Sequence, residues 1–272
     1  MENLDLSNIS SIQANNAFYK LSDRYNFIPT NNLIEDFAKE NWKPVFAKEV
    51  KVRKPEKNGF QQHLIRFRKI EENIQIGSDT LAIEIVVFNS HNGESSFRLM
   101  LGIYRFVCAN GLVIGDNLFA VKINHMKYNR ELLHTSLKTL LERSVRIKSY
   151  LQELKNTLLT KDEKYEYAKQ AITARYSEKL IQDRGININS NLMLQSITTP
   201  KRAVDRVESL YHTYNTLQEN MITGGWYIEK GIKLRRVKPI KSIVENIRVN
   251  KLLWNLTQKC AIEKRGEIDS GV

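Results

Sequence analysis

Residues 81–124 read LAIEIVVFNSHNGESSFRLMLGIYRFVCANGLVIGDNLFAVKIN, and they decide the fold. This is the most apolar long stretch of the chain, and Asn92-Gly93 and Asn110-Gly111 punctuate it. Asn-Gly between β-rich runs marks a hairpin, because both residues tolerate the positive φ of a tight turn. LAIEIVVF is rich in β-branched residues and reads as a strand. SSFRLMLGIYRFVC fits a buried strand or a buried helix, and the turn pair at each end favours strand for its second half. Gly115-Asp116-Asn117 turns the chain into LFAVKI.

Working outward, the residues before this stretch keep a period of two. VFAKEVKVRKP is a strand, Lys57-Asn58-Gly59 a turn, and FQQHLIRFRKI its hairpin partner, with a further turn at Gly77-Ser78-Asp79. The predicted fold class is therefore α+β: an antiparallel meander of about five strands over 45–124, packed against long helices. Residues 1–20 read as a mobile leader, and TNNLIEDFAKEN as a short amphipathic helix ended by Trp42-Lys43-Pro44.

The segment 131–222 is helical. Leu133, Leu137, Leu140, Ser144, Ile147, Leu151, Leu154 and Leu158 step by four and three, which makes a heptad seam. Leu141 and Val145 widen that stripe, which favours packing inside the protein over self-association, though a homo-oligomer stays open. A second helix is expected over 162–182, closed by Gly185. A polar connector follows over 186–198. Thr199-Pro200 would open a third helix that ends at Gly224-Gly225. A basic loop is expected over 226–241, and Ser242-Ile243-Val244-Glu245 caps a last helix over 242–262, with GEIDSGV as a disordered tail. The expectation is one domain over 1–272.

Composition limits the function classes. Hydrophobic content of 42% in 272 residues fits a folded protein with a sizeable core. Forty-two Lys and Arg against thirty Asp and Glu give +12, so an anionic partner is expected, nucleic acid first. Cys108 and Cys260 lack metal-ligand spacing and read as free, mostly buried thiols of a reducing cytoplasm. The polar start MENLDLSNISSIQANN is no signal peptide. Arg98 and Arg105 interrupt the longest apolar run before it reaches the roughly 20 residues of a membrane span. If those two arginines are buried, Glu84 or Glu94 is the expected companion.

Phosphate-binding glycine loops, nucleophile elbows and H-E-x-x-H are absent, so neither cofactor nor metal is expected and the reading leans away from an enzyme. The stretch Ser90-His91-Asn92-Gly93-Glu94 reads as a hairpin tip rather than an acid/base pair. A cryptic nuclease using Asp79, Glu84 or Glu94 has no informative spacing behind it. Basic residues carry more. Arg66 and Arg68 alternate with Ile65 and Phe67, and Lys51 and Arg53 with Val50 and Val52, so a paired hairpin would line four cations along one face. Such a face can track a phosphate backbone, or it can be a solvated edge. The run KGIKLRRVKPIK places Lys233, Arg235, Arg236 and Lys238 after Trp226 and Tyr227, the composition of a single-strand contact.

The motif residues Asn89-Ser90-His91-Asn92-Gly93 followed by Ser96-Phe97-Arg98, Arg105-Phe106-Val107-Cys108-Ala109-Asn110-Gly111-Leu112, Tyr214-Asn215-Thr216-Leu217-Gln218-Glu219-Asn220 with Gly224-Gly225, and Asn250-Lys251-Leu252-Leu253-Trp254 resemble a known family. It is the phage- and plasmid-like group called domain-of-unknown-function family nine hundred and thirty-two. The resemblance implies a mobile-element context near replication or recombination, with no established activity. The meander with its long helix is also similar in architecture to the core of single-strand annealing proteins. The function expected is non-enzymatic binding of nucleic acid, single-stranded DNA foremost, with a part in annealing or recombination. The alternative is an interaction factor that blocks or sequesters a host defence component.

Overall fold

The computed structural model describes residues 4–106, 111–114, 120–125 and 130–269. The fold class is α+β, with a mostly antiparallel sheet and helices packed on it. Contacts divide the chain into two compact units. The first holds 1–75, 80–106 and 111–145, and the second holds 76–79, 107–110 and 146–272.

The first unit contains the sheet. Its strands are β1 (Lys43–Glu49), β2 (His63–Ile76), β3 (Asp79–Asn89), β4 (Phe97–Arg105), β5 (Gly111–Ile114) and β6 (Ala120–Ile123), of which β2 and β3 extend into the second unit at Ile76 and Asp79. The order is β1-β2-β3-β4-β5, and β6 also pairs with β4. The two short strands share one edge of β4: Phe97–Met100 face β6, and Leu101–Tyr104 face β5. The meander is as expected, with GLVI at 111–114 as an additional strand. Turns at Asn110 and over 115–117 lie outside the described residues. Helix α1 (Thr30–Lys39) sets Phe37 against Phe67 of β2, ring centroids 4.5 Å apart. Helix α2 (Arg130–Ser144) contacts β4 and β6.

Residues 4–20 are held in place. Ile12 and Phe18 are buried, and the Ser11 backbone N–H donates to Glu49 at 3.0 Å. Two buried apolar anchors and a carboxylate acceptor explain why this polar segment does not stay a leader.

The second unit is helical. Helix α3 (Ile147–Asn156) is separate from α2, so the heptad seam is two helices. Its residues from Leu133 to Leu154 are buried, while Leu158 is exposed, so the seam is core. The expected 162–182 helix is α4 (Lys161–Tyr176) and α5 (Glu178–Arg184), parted at Ser177, whose φ of 61° no helix allows. Gly185 closes α5 in the left-handed conformation. The expected connector is mostly helix α6 (Asn191–Thr198), capped by Ser190. Thr199-Pro200 therefore follows a helix instead of opening one. The next helix, α7 (Leu210–Thr223), starts at the cap Ser209 and stops at Gly224. Helix α8 runs Ile243–Asp269, with the Glu245 N–H donating to the Ser242 cap at 3.3 Å, and so includes part of the expected tail. No helix among the described residues is long and apolar enough to cross a membrane.

Candidate nucleic-acid interface

The expected basic loop is a β-hairpin. Strands β7 (Tyr227–Lys230) and β8 (Lys233–Arg236) pair as Tyr227↔Arg236, Ile228↔Arg235, Glu229↔Leu234 and Lys230↔Lys233. Alternation puts Ile228, Lys230, Lys233 and Arg235 on one face, and Tyr227, Glu229, Leu234 and Arg236 on the other. Gly225 and Trp226 close its base: the Gly225 N–H donates to the Val237 carbonyl at 2.9 Å, and the Val237 N–H to the Trp226 carbonyl at 2.8 Å.

A groove of about 460 Å³ runs beside this hairpin. Among the described residues, six cations line it, Arg175, Arg184, Lys230, Arg235, Arg236 and Lys238, and no carboxylate does. Its apolar wall is Tyr176, Ile186 and Ile228. Arg175 and Arg184 come from the last turns of α4 and α5. A cation there complements the helix dipole, which is the ordinary reason for the residue type. Arg175 Nη1 donates to the Met221 carbonyl at 2.8 Å, and its guanidinium lies 5.1 Å from the Tyr176 ring centre. Burial holds its pKa below the usual arginine value. Neighbouring carboxylates are already engaged. Glu229 accepts from Ser190 Oγ and Asn187 Nδ2, and Glu245 pairs with Arg248 at 2.6 Å. Both have carboxyl pKa values below the usual range, through those hydrogen bonds first.

Each sequence candidate has a definite place. Lys233, Arg235, Arg236 and Lys238 are exposed, on or beside the hairpin. Tyr227 is 43% exposed, whereas Trp226 is 2% exposed and packs on Tyr176 at 6.4 Å. Trp226 is thus the hairpin's anchor and presents no ring face to a base. Lys51 and Arg53 are exposed but follow the end of β1, so the four-cation face does not form. Phe46 and Lys43 stand opposite Arg66 and Arg68 instead. Those two arginines do share a face, but a buried one. Both donate to Glu84, Arg66 Nε at 2.5 Å and Arg68 Nε at 3.0 Å, and Arg68 lies 4.1 Å from the Tyr104 ring centre. Gly102 is the residue opposite Glu84 on β4, so no side chain competes for that side of the carboxylate. Glu94 pairs with Lys57. Glu84 and Glu94 thus serve Arg66, Arg68 and Lys57. Arg175 and Arg184 are the groove residues that sequence reading missed. The only local signal is their position at helix ends, which is common to arginines with no ligand.

The family model described as a domain of unknown function (DUF932) matches residues 18–254 of the chain. The chain belongs to the DUF932 family. Two relatives from Escherichia coli (strain K12), UPF0380 protein YfjQ and UPF0380 protein YafZ, are each 27% identical over 251 residues, covering 92% of this chain and 87% of the relative. No solved structure matches.

In this DUF932 chain, the motif Asn89-Ser90-His91-Asn92 is buried rather than a solvated hairpin tip. Gly93 still makes the turn, at φ 75°. His63 Nδ1–H donates to the Gln61 carbonyl at 3.2 Å, so its bare Nε2 accepts from the Thr30 hydroxyl at 2.9 Å. His91 Nε2 stands 3.4 Å from that same hydroxyl, and Asn89 Nδ2 donates to it at 3.2 Å. Tyr25 stacks on His125 at 4.3 Å and donates to the Ser90 carbonyl at 2.7 Å. Burial pushes His63 down to about 4 and His91 to about 3, the latter helped by the charges of His63 and His125. Among the described residues, no three His, Cys, Asp or Glu side chains group as a metal would need. The arrangement is a neutral hydrogen-bonded lock joining the start of α1, the start of β2 and the end of β3. Cys108 lies outside the described residues, and Cys260 is partly buried and not in a disulfide.

Proposed function

We propose that this chain is a non-enzymatic nucleic-acid-binding protein that takes single-stranded DNA along the hairpin groove. One observation carries the reading: among the described residues, six cations and no carboxylate line the groove. Cations grouped without counter-charges bind a phosphate chain by releasing its condensed counterions. The apolar wall suits unstacked bases, which a duplex keeps inside. Lys233 at the hairpin end extends the same basic face. The mobile-element setting and a part in strand annealing or recombination belong to this reading.

The test uses fluorescence anisotropy of a labelled single-stranded oligonucleotide. Arg235→Gln combined with Lys238→Gln weakens binding about tenfold or more at low salt, uniformly across sequences. Unchanged affinity in the folded double variant contradicts the groove assignment.

A second reading, an interaction factor that sequesters a host defence component, is favoured by Ile232 and Leu234, which are 99% and 48% exposed on the same hairpin. A nuclease-treated pull-down lost on Ile232→Asp supports it. Retention of every partner by that variant counts against it.

A further inference from the structure

At the base of the hairpin, Gly225 has a φ of 94°, a conformation that side chains other than glycine rarely adopt. Its bare face is flanked by charge. The position where a Cβ would sit is 3.7 Å from Arg236 Nη2 and 3.8 Å from Lys201 Nζ. Lys201 Nζ is fixed there by donating to Thr223 Oγ1 at 2.5 Å and to the Gly224 carbonyl at 2.7 Å. An ammonium has three donors, so one is left. Capping the end of α7 explains Lys201, but it does not explain why Arg236 is brought beside it. The carboxylate that acts on Lys201, Glu219, is engaged by Arg202 through Nε at 3.2 Å and Nη2 at 2.9 Å. The Lys201 pKa is lowered by burial first, with Arg202 and Arg236 adding to the effect against Glu219. Two cations held together over open backbone are relieved by an anion.

We infer that Lys201 and Arg236 form a second phosphate position over Gly225, and that the ligand is a chain of phosphates crossing the hairpin base, not a single nucleotide. This rests on the groove reading above, because Arg236 lines the groove as well and joins the two positions.

The experiment titrates the full chain with a labelled oligothymidylate of about eight nucleotides across a range of salt. Lys201→Gln reduces the slope of log affinity against log salt by about 0.7, the value of one phosphate on a single strand, and Lys201→Arg restores it. A purely structural role for Lys201 would shift melting temperature and leave that slope alone. A slope unchanged in Lys201→Gln overturns the second position while the groove reading stands. A wild-type protein that binds no oligothymidylate overturns both. On the unaltered protein, thymidine 5′-monophosphate at matched phosphate concentration should fail to displace the oligonucleotide. Equal displacement overturns the inference even where the variants fold poorly.

Discussion

Arg66 and Glu84 show how one residue type answers to two environments. On an exposed strand Arg66 and Arg68 would be phosphate contacts. Here Glu84 is fully buried, and it holds both guanidiniums in a face that aromatic rings close. Removing one partner of a buried pair strands the others without water. Glu84→Gln is therefore expected to lower stability by about 3–5 kcal/mol, read by denaturant unfolding. A loss below about 1 kcal/mol would mean the site is solvated.

The buried histidines give a pH prediction at the same scale. Their folded pKa values are depressed, His63 to about 4 and His91 to about 3. The unfolded chain, near 6.5, takes up protons first as pH falls. Stability is thus fully present above about 6.5 and declines from there toward about 4. Melting temperature across that window should fall with acid, and His91→Asn should flatten the fall. A flat profile for the wild type contradicts the buried lock. None of this was legible beforehand, because Ser, His, Asn and Gly are also turn formers. Only burial by the chain around Ile12, Phe18 and Ile28 separates the two meanings.

At the scale of elements, strands were legible where β patterning and turn residues agreed, as in β2 and β3, while the continuous apolar run of β4 was legible as strand only through the turn pairs at its ends. Helix ends were not. Ser144 and Ser177 break runs whose apolar spacing continues across them. The break at Ser177 needs a positive φ that no pattern of apolar residues announces. The hairpin β7–β8 was hidden because its strands are four residues each and mostly charged, while strand patterns rest on apolar alternation. Gly224 sets its entry. At φ 69°, a Cβ there would lie 2.5 Å from the Val237 carbonyl oxygen. Gly224→Ala is expected to cost about 1–3 kcal/mol by forcing strain or a shift of the segment Val237–Pro239 after β8. It should also weaken oligonucleotide binding. Unchanged melting and binding would show that the hairpin base tolerates movement.

For the whole molecule, net charge pointed to an anionic partner but not to a place. Basic residues are spread over both units, and the fold sorts them. Arg66 and Arg68 become buried ion pairs, Lys51 and Arg53 stay on a solvated connection, and the hairpin's cations meet Arg175 and Arg184 from helices distant in sequence. Membership of the DUF932 family adds relatives but no activity. We propose that the hairpin cluster binds a phosphate chain. Anisotropy of a labelled single-stranded oligonucleotide against the wild-type chain tests it most directly. Binding should be tight at about 50 mM salt and fall by orders of magnitude toward about 200 mM. No binding at the lower salt, or binding indifferent to salt, would contradict the claim.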